Sequence, residues 1–323
     1  MRIASELLNL FNYNLGRINP KLVNEKGDMI VMYHGVTRKN QAHINKRHVT
    51  VENFDGQIAV FKKNYEIVAV SEFFDNLVKS SKPKICLTFD DGYKNNLDSA
   101  LPVLRKHNAS AAIYITGLAE MHYPIIWADY LDLTERHSTG RKINVLGHSF
   151  INVSGSFISE SSGQSLREVI RYLSPGYEFK VALIEALGWD LKAFDKVADR
   201  EVWELVTGQE IKQLASEKLI TIGSHGYYHN NLGSLDAEEA KDEMIKSVQY
   251  LQQLAGKPIQ TIAYPDGSYN AEVKQAAKDL GMIYQLAAEG FRDEKDLTDT
   301  IIRNRKGIYN CGRPHTQLFD IYN

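Results

Sequence analysis

Short apolar runs alternate with segments of helical period along two stretches of the chain, 28–117 and 207–305, and this alternation constrains the fold more than any other feature. In the first stretch Met29–Tyr33, Ile67–Val70, Lys84–Phe89 and Ser110–Ile115 read as strands. Between them lie a segment with Phe54, Ile58 and Phe61 on one side, an amphipathic segment from Ser71, and the helical period of Lys94–His107. In the second, strands at Leu219–Gly223, Thr261–Tyr264, Ile283–Ala287 and Thr300–Arg303 are separated by helices at Gln209–Lys218, Asp236–Leu254 and Ala271–Leu280. Strand–helix–strand repetition implies parallel pairing and a sheet buried on both faces. From about 118 to 206 the alternation lapses into polar segments with helical stretches at 163–172 and 178–187. The expected architecture is therefore α/β: one barrel-like domain over 28–323, interrupted by a mostly helical insertion at about 118–206. Residues 1–27 form a separate opening segment, in which Ile3, Leu7, Leu8, Leu10, Phe11 and Leu15 fall at helical spacing.

Composition narrows the function classes. The 323 residues are 43% hydrophobic and 24% charged, ordinary globular values that exclude a disordered or fibrous chain. Lys plus Arg number 38 against 40 Asp plus Glu, a net charge of −2, so no basic footprint marks a nucleic-acid partner. No run reaches the roughly 18–20 apolar residues of a membrane helix. Met1–Leu15 is broken by Glu6, Asn9, Asn12 and Asn14, which leaves no signal-peptide core. The expected setting is cytoplasmic and reducing, consistent with only two cysteines, Cys86 and Cys311, too few for a disulfide framework. The apolar face of the opening segment is expected to dock on the protein body. Membrane contact is the lesser reading, because few Lys or Arg flank it.

Two strand ends carry the chemistry. Leu87-Thr-Phe-Asp-Asp-Gly-Tyr93 runs an apolar strand into adjacent carboxylates, and functional groups of parallel α/β folds collect at such C-terminal ends. Neighbouring Asp90 and Asp91 point different ways, so one can bind a cation while the other stays free as a base. The second segment, Gly223-Ser-His-Gly-Tyr-Tyr-His-Asn-Asn-Leu232, also follows a strand. His225 and His229 are four apart, a spacing that on one helical turn puts both imidazoles on one face. Two His and one Asp with open positions left for water is the composition of a hydrolytic metal site.

The sequence resembles the polysaccharide deacetylases of carbohydrate esterase family 4. Thr88-Phe-Asp-Asp-Gly92 and the His225-x-x-x-His229-x-x-Leu232 pattern are that family's two leading motifs. Ala111-Ala-Ile-Tyr-Ile-Thr-Gly117 and Ala263-Tyr-Pro-Asp-Gly267 extend the likeness, and Met32-Tyr-His-Gly-Val36 matches a branch that opens with a Tyr-His pair. The resemblance implies a distorted (β/α) barrel with fewer than eight strands. It implies a metal-dependent hydrolase that removes N-acetyl groups from an N-acetylated sugar, in a polymer or in a lipid- or nucleotide-linked precursor. Asp91, His225 and His229 would hold one divalent ion, Zn²⁺ before Fe²⁺, Co²⁺ or Ni²⁺. Asp90 would act as general base on a metal-bound water, and the backbone N–H of Tyr93 would help hold the oxyanion.

The sequence also departs from that pattern. The arginine that braces the catalytic Asp three residues before the motif proline is replaced here by Ile262, three before Pro265, and Arg303 is the nearest substitute. The late Leu-x-x-His motif is absent. His34, at the end of the first strand, is nominated as general acid, with His315 in Arg313-Pro-His-Thr316 as competitor. Trp127, near Asp129 at the start of the insertion, either stacks on a sugar or anchors the insertion. Tyr227, Tyr228, Tyr264 and Pro265 are expected to wall the site. Two other functions remain: a catalytically silent carbohydrate-binding protein on this fold, or a hydrolase of another C–N amide.

Overall fold

The computed structural model describes residues 27–309, apart from 42, 146, 174–175, 189, 196–198, 289–295 and 297. The opening segment, Cys311 and His315 thus lie outside the described residues. In chain order the strands of the first half are β1 (Met29–Tyr33), β2 (Gly35–Thr37), β3 (His48–Thr50), β4 (Glu66–Ile67), β5 (Lys84–Phe89) and β6 (Ala111–Ile115). They are followed by β7 (Lys142–Val145), β8 (His148–Val153), β9 (Ser156–Ser159), β10 (Ile220–Ser224), β11 (Thr261–Ala263), β12 (Tyr284–Leu286), β13 (Ile302–Arg303) and β14 (Lys306–Gly307).

The main sheet runs β13-β12-β11-β10-β6-β5-β1-β14, with β4 added against β5, and every pair in it is parallel. Its two ends, β13 and β14, are separated along the chain only by Asn304 and Arg305. The sheet therefore curls until one stretch of chain joins its edges: Arg303 pairs with Leu286 of β12, and Gly307 with Met32 of β1. This is the distorted (β/α) barrel that the resemblance implies, but its sheet has nine strands, counting β4, rather than fewer than eight.

Burial explains why the strands read as continuous apolar runs. Every residue of β5 and of β6 is buried, since helices cover one face and barrel side chains fill the other. The rings of Tyr33, Phe54 and Phe89 pack at centroid distances of 5.1–5.6 Å, tying β1, β5 and the helix Val51–Asn64 together. The helices start where the sequence offers caps: Thr50, Thr207 and Asp236 each accept a hydrogen bond from the third residue onward. No helix among the described residues is long and apolar enough to cross a membrane.

The segment 118–206 is less helical than expected. It carries the helices Trp127–Arg136, Leu166–Leu173, Tyr177–Leu187 and Leu191–Phe194, but also the three-stranded antiparallel sheet β7-β8-β9. The β8–β9 hairpin turns on Ser154 and Gly155, both at positive φ (52° and 84°), the geometry of a two-residue hairpin loop. Phe150, Phe157, Leu166 and Leu183 are buried in a hydrophobic cluster that includes Trp127 and Tyr93.

Candidate active site

The C-terminal ends of the barrel strands place the candidate residues on one rim. The Asp90 N–H donates to the carbonyl of Tyr33 at 3.0 Å, which carries β5 one residue past its last pairing with β1. The chain then turns left-handed at Asp91 (φ 73°) and Gly92 (φ 74°). Two strands along the rim, the His225 N–H donates to the carbonyl of Ile115 on β6 at 3.1 Å, in line with β10. His225 and His229 do not lie on a helical turn, contrary to the spacing argument. They flank an irregular loop with left-handed residues at Gly226 (φ 70°) and His229 (φ 55°), which brings their rings to 5.0 Å.

Asp91, His225 and His229 offer three buried donor atoms within 4.8 Å of one another. Asp91 Oδ1 lies 3.4 Å from His225 Nε2 and 3.2 Å from His229 Nε2. His225 Nδ1 donates to the carbonyl of Ala263 at 2.8 Å, so its Nε2 is the nitrogen presented to the cluster. Burial alone would raise the Asp91 carboxyl, but the two imidazoles outweigh it and hold the group well below the ordinary carboxylate range. Two imidazoles and a carboxylate converging in a buried spot suit a borderline cation, so the residues present fit a divalent metal.

Asp90 stands beside this cluster, 4.0 Å from His225 Nε2. Both of its oxygens are gripped by Arg305, at 2.7 and 2.8 Å, and the arginine is 1% exposed. Arg305 also donates to the carbonyl of Ala287 at 2.8 Å and to the Thr88 hydroxyl at 3.2 Å. Burial pushes the Asp90 carboxyl up, yet Arg305 and His225 overcome it, and the group stays ionised below its usual range.

Arg303, the expected substitute for the missing brace, does not reach Asp90. It donates to the carbonyls of Asp299 and Ile302 and lies over the Phe74 ring at 5.2 Å. Two residues on, the break between β13 and β14 turns Arg305 inward instead. The sequence signal was a second arginine just past the last readable strand.

A cleft of about 550 Å³ opens over the cluster, lined by Asp90, Asp91, His225 and His229 together with His34, Trp127, Tyr264 and Arg305. Burial lowers the His34 pKa to about 4, against the pull of the nearby Asp91. Trp127 lines the cleft, and at 6% exposure it belongs to the hydrophobic cluster of the segment 118–206, as its anchoring reading expects. Tyr264 lines the cleft through a ring stacked on Tyr269, with its hydroxyl on Gln285 at 2.7 Å.

Three expected wall residues are elsewhere. Pro265 is not among the lining residues and packs on the side of Gly226. Tyr227 and Tyr228 pack against each other, Tyr250, Tyr177 and Lys246 rather than facing the cleft. The Tyr93 ring is buried with its hydroxyl on Asp129 at 2.6 Å, which leaves only its backbone near the Asp-Asp-Gly turn. Arg47 and Arg167, which no motif marks, also line the cleft.

Comparison with known proteins gives a family match and a fold match. The family model described as Polysaccharide deacetylase matches residues 78–168 and 188–285, more than half of the chain. It therefore runs past residue 117 into the segment where the alternation lapses, and leaves 169–187 unmatched. A curated relative of Bacillus subtilis (strain 168), YxkH, which carries a polysaccharide deacetylase name, is 25% identical over 127 residues. That match covers 38% of this chain and 44% of the relative, so this chain spans less than half of that protein's length. Among solved structures, the Streptococcus pyogenes deacetylase PplD in complex with acetate aligns with a TM-score of 0.53 at 19% identity, covering 90% of this chain and 96% of that one. A de-N-acetylase from Aggregatibacter actinomycetemcomitans aligns with a TM-score of 0.52 at 16% identity, covering 91% and 99%. At such identities the structural likeness is one of fold.

Proposed function

The chain belongs to the polysaccharide deacetylase family, and from that premise we propose that it hydrolyses N-acetyl groups on an N-acetylated carbohydrate, using a divalent ion held by Asp91, His225 and His229. The observation that carries the proposal is the pairing of that ligand cluster with an ionised, arginine-braced Asp90 at its side. The donor set, two imidazoles and one carboxylate, supports a borderline ion such as Zn²⁺.

A divalent ion in this cluster supplies Lewis acidity toward the acetyl carbonyl and acidifies a water. The remaining work falls to the protein. Asp90 accepts the proton of the attacking water as its oxygen bonds to the acetyl carbon. Arg305 keeps Asp90 charged until then and fixes its plane. The Tyr93 N–H lies just after the turn that aims Asp91 and is the candidate donor to the oxyanion. When the C–N bond breaks, acetate leaves and the sugar amine takes a proton, for which His34 is the candidate donor. Its lowered pKa makes it neutral at pH 7, so it acts as an acid only after gaining a proton during turnover. Trp127 and Tyr264 offer aromatic walls for a sugar ring.

Acetate release across a panel of N-acetylated glycans, with and without chelator, tests the proposal. Chelator-sensitive release supports it. A chain that binds no metal and releases no acetate from any N-acetylhexosamine substrate would favour a silent carbohydrate-binding role.

A further inference from the structure

The three candidate ligands are not held alike. His225 is tied within the barrel, through Nδ1 to the carbonyl of Ala263. Asp91 and His229 both have left-handed backbones, at φ 73° and 55°. That conformation costs a residue with a side chain on the order of 1–3 kcal/mol and persists only where the surroundings over-determine it. For these two ligands, and not for His225, a buried charged side chain from the segment 118–206 reaches in.

On the His229 side the residue is Lys180, on the helix Tyr177–Leu187 and 7% exposed. Its ammonium donates to the carbonyl of His229, to that of Tyr228 at 3.2 Å and to Asn230 Oδ1 at 2.8 Å. An ammonium has three donors, and all three go to the ligand loop. Across the loop sits Glu243, on the helix Ala237–Ala255 and 3% exposed. It accepts from the N–H groups of Tyr228 at 2.9 Å and Asn230 at 3.3 Å. A cation thus meets the carbonyls of the loop and an anion meets its amides, which is the polarity its peptide dipoles favour.

On the Asp91 side the residue is Asp129, on the helix Trp127–Arg136 and 3% exposed. It is fixed by Tyr93 at 2.6 Å and Asn45 at 2.9 Å, and it pairs with the Arg47 guanidinium. Arg47 in turn reaches Asp91 Oδ2 at 3.3 Å. With Oδ2 taken, Oδ1 is the oxygen left to face both imidazoles.

We propose that the segment 118–206 is a working part of the metal centre, in which Lys180 and Asp129 are positioning residues that hold the strained ligands His229 and Asp91 in place. The proposal rests on the assignment of Asp91, His225 and His229 as the ligand set.

The test is the Zn²⁺ affinity of the full chain, measured by competition with a chromophoric chelator, alongside thermal melting without metal. Lys180→Met and Asp129→Asn are each expected to weaken Zn²⁺ binding about 10–100-fold, the usual effect of losing a group that orients a metal ligand. Lys142→Ala, which breaks an exposed ion pair with Glu160 in the same segment, should leave the affinity unchanged. Asp129→Asn keeps the size of the side chain and carries the test if Lys180→Met does not fold. As an independent readout on the parent, Zn²⁺ should slow amide exchange in the helices Trp127–Arg136 and Tyr177–Leu187, because coupling between ligand and support is reciprocal. Folded variants that bind Zn²⁺ within twofold of the parent, or helices whose exchange ignores the ion, would overturn the proposal. A parent that binds no Zn²⁺ would instead overturn the ligand assignment beneath it.

Discussion

His225 donates its Nδ1 proton to the carbonyl oxygen of Ala263 at 2.8 Å, while Nε2 of the same ring lies 3.4 Å from Asp91 Oδ1. A ring pinned at one nitrogen to a backbone carbonyl presents the other as a lone pair. The acceptor belongs to the main chain of β11, so no substitution of the Ala263 side chain removes it. The orientation of this candidate ligand is built into the sheet.

Removing the ion should therefore be reversible. Dialysis against a chelator is expected to abolish acetate release, and stoichiometric Zn²⁺ to restore it. His225→Gln should lose both activity and high-affinity metal binding, read by elemental analysis of the purified protein.

Asp90 and Arg305 separate binding from turnover. Asp90→Asn should retain the metal and lose turnover about 10²–10⁴-fold, the usual contribution of a positioned general base. Arg305→Met removes the group that holds the Asp90 carboxyl down, so that carboxyl protonates at higher pH. The acid limb of the kcat/KM profile should then move upward in pH. Breaking a buried ion pair from one side also costs on the order of 3–5 kcal/mol, measurable by urea unfolding.

His34 should leave a signature in stability against pH. Burial lowers its pKa in the folded chain to about 4, against about 6.5 when unfolded. Between those values the unfolded chain carries a proton that the folded chain lacks, so stability falls as pH drops. The His34 contribution is full above about pH 6.5 and is lost on the way down through pH 4. In metal-free protein, His34→Gln should flatten the unfolding free energy across that window by up to one proton's slope.

Gly117 is a position where nothing larger fits. A Cβ there would meet the Tyr227 ring at 2.4 Å, and the Gly117 N–H donates to the Tyr227 carbonyl at 2.8 Å. Gly117→Ala is expected to destabilise by about 1–3 kcal/mol, as overpacking does, and to loosen the loop that carries His229. Urea unfolding and the Zn²⁺ competition assay read the two effects.

What could be read from the sequence depended on how regular each element is. β5 is six consecutive buried residues that run straight into Asp90, so the candidate carboxylates were visible at a strand end. The stretch that closes the barrel is two two-residue strands, too short to give a run, so reading stopped at Arg303 and missed Arg305. The spacing of His225 and His229 suggested a helical turn because periodicity does not reveal left-handed backbone. Lys180 sits among helix-period residues, where a lysine ordinarily reads as a solvated face. Only the packing of its helix against the loop of His229 makes it buried. The antiparallel sheet β7-β8-β9 leaves no continuous apolar run, because buried and more exposed positions alternate along its strands, although Ser154-Gly155 is a turn signal.

The brace of Asp90 lies in the stretch that closes the barrel, and a chain is made from its amino end. A nascent chain carries Asp90 and the three candidate ligands once residue 229 has emerged, but not yet Ala263, which orients His225, or Arg305. Until residue 305 follows, Asp90 has no arginine to meet, and burial would favour its protonated form. The carboxylate proposed as base thus gains its partner only with the stretch between β13 and β14, the last strands among the described residues.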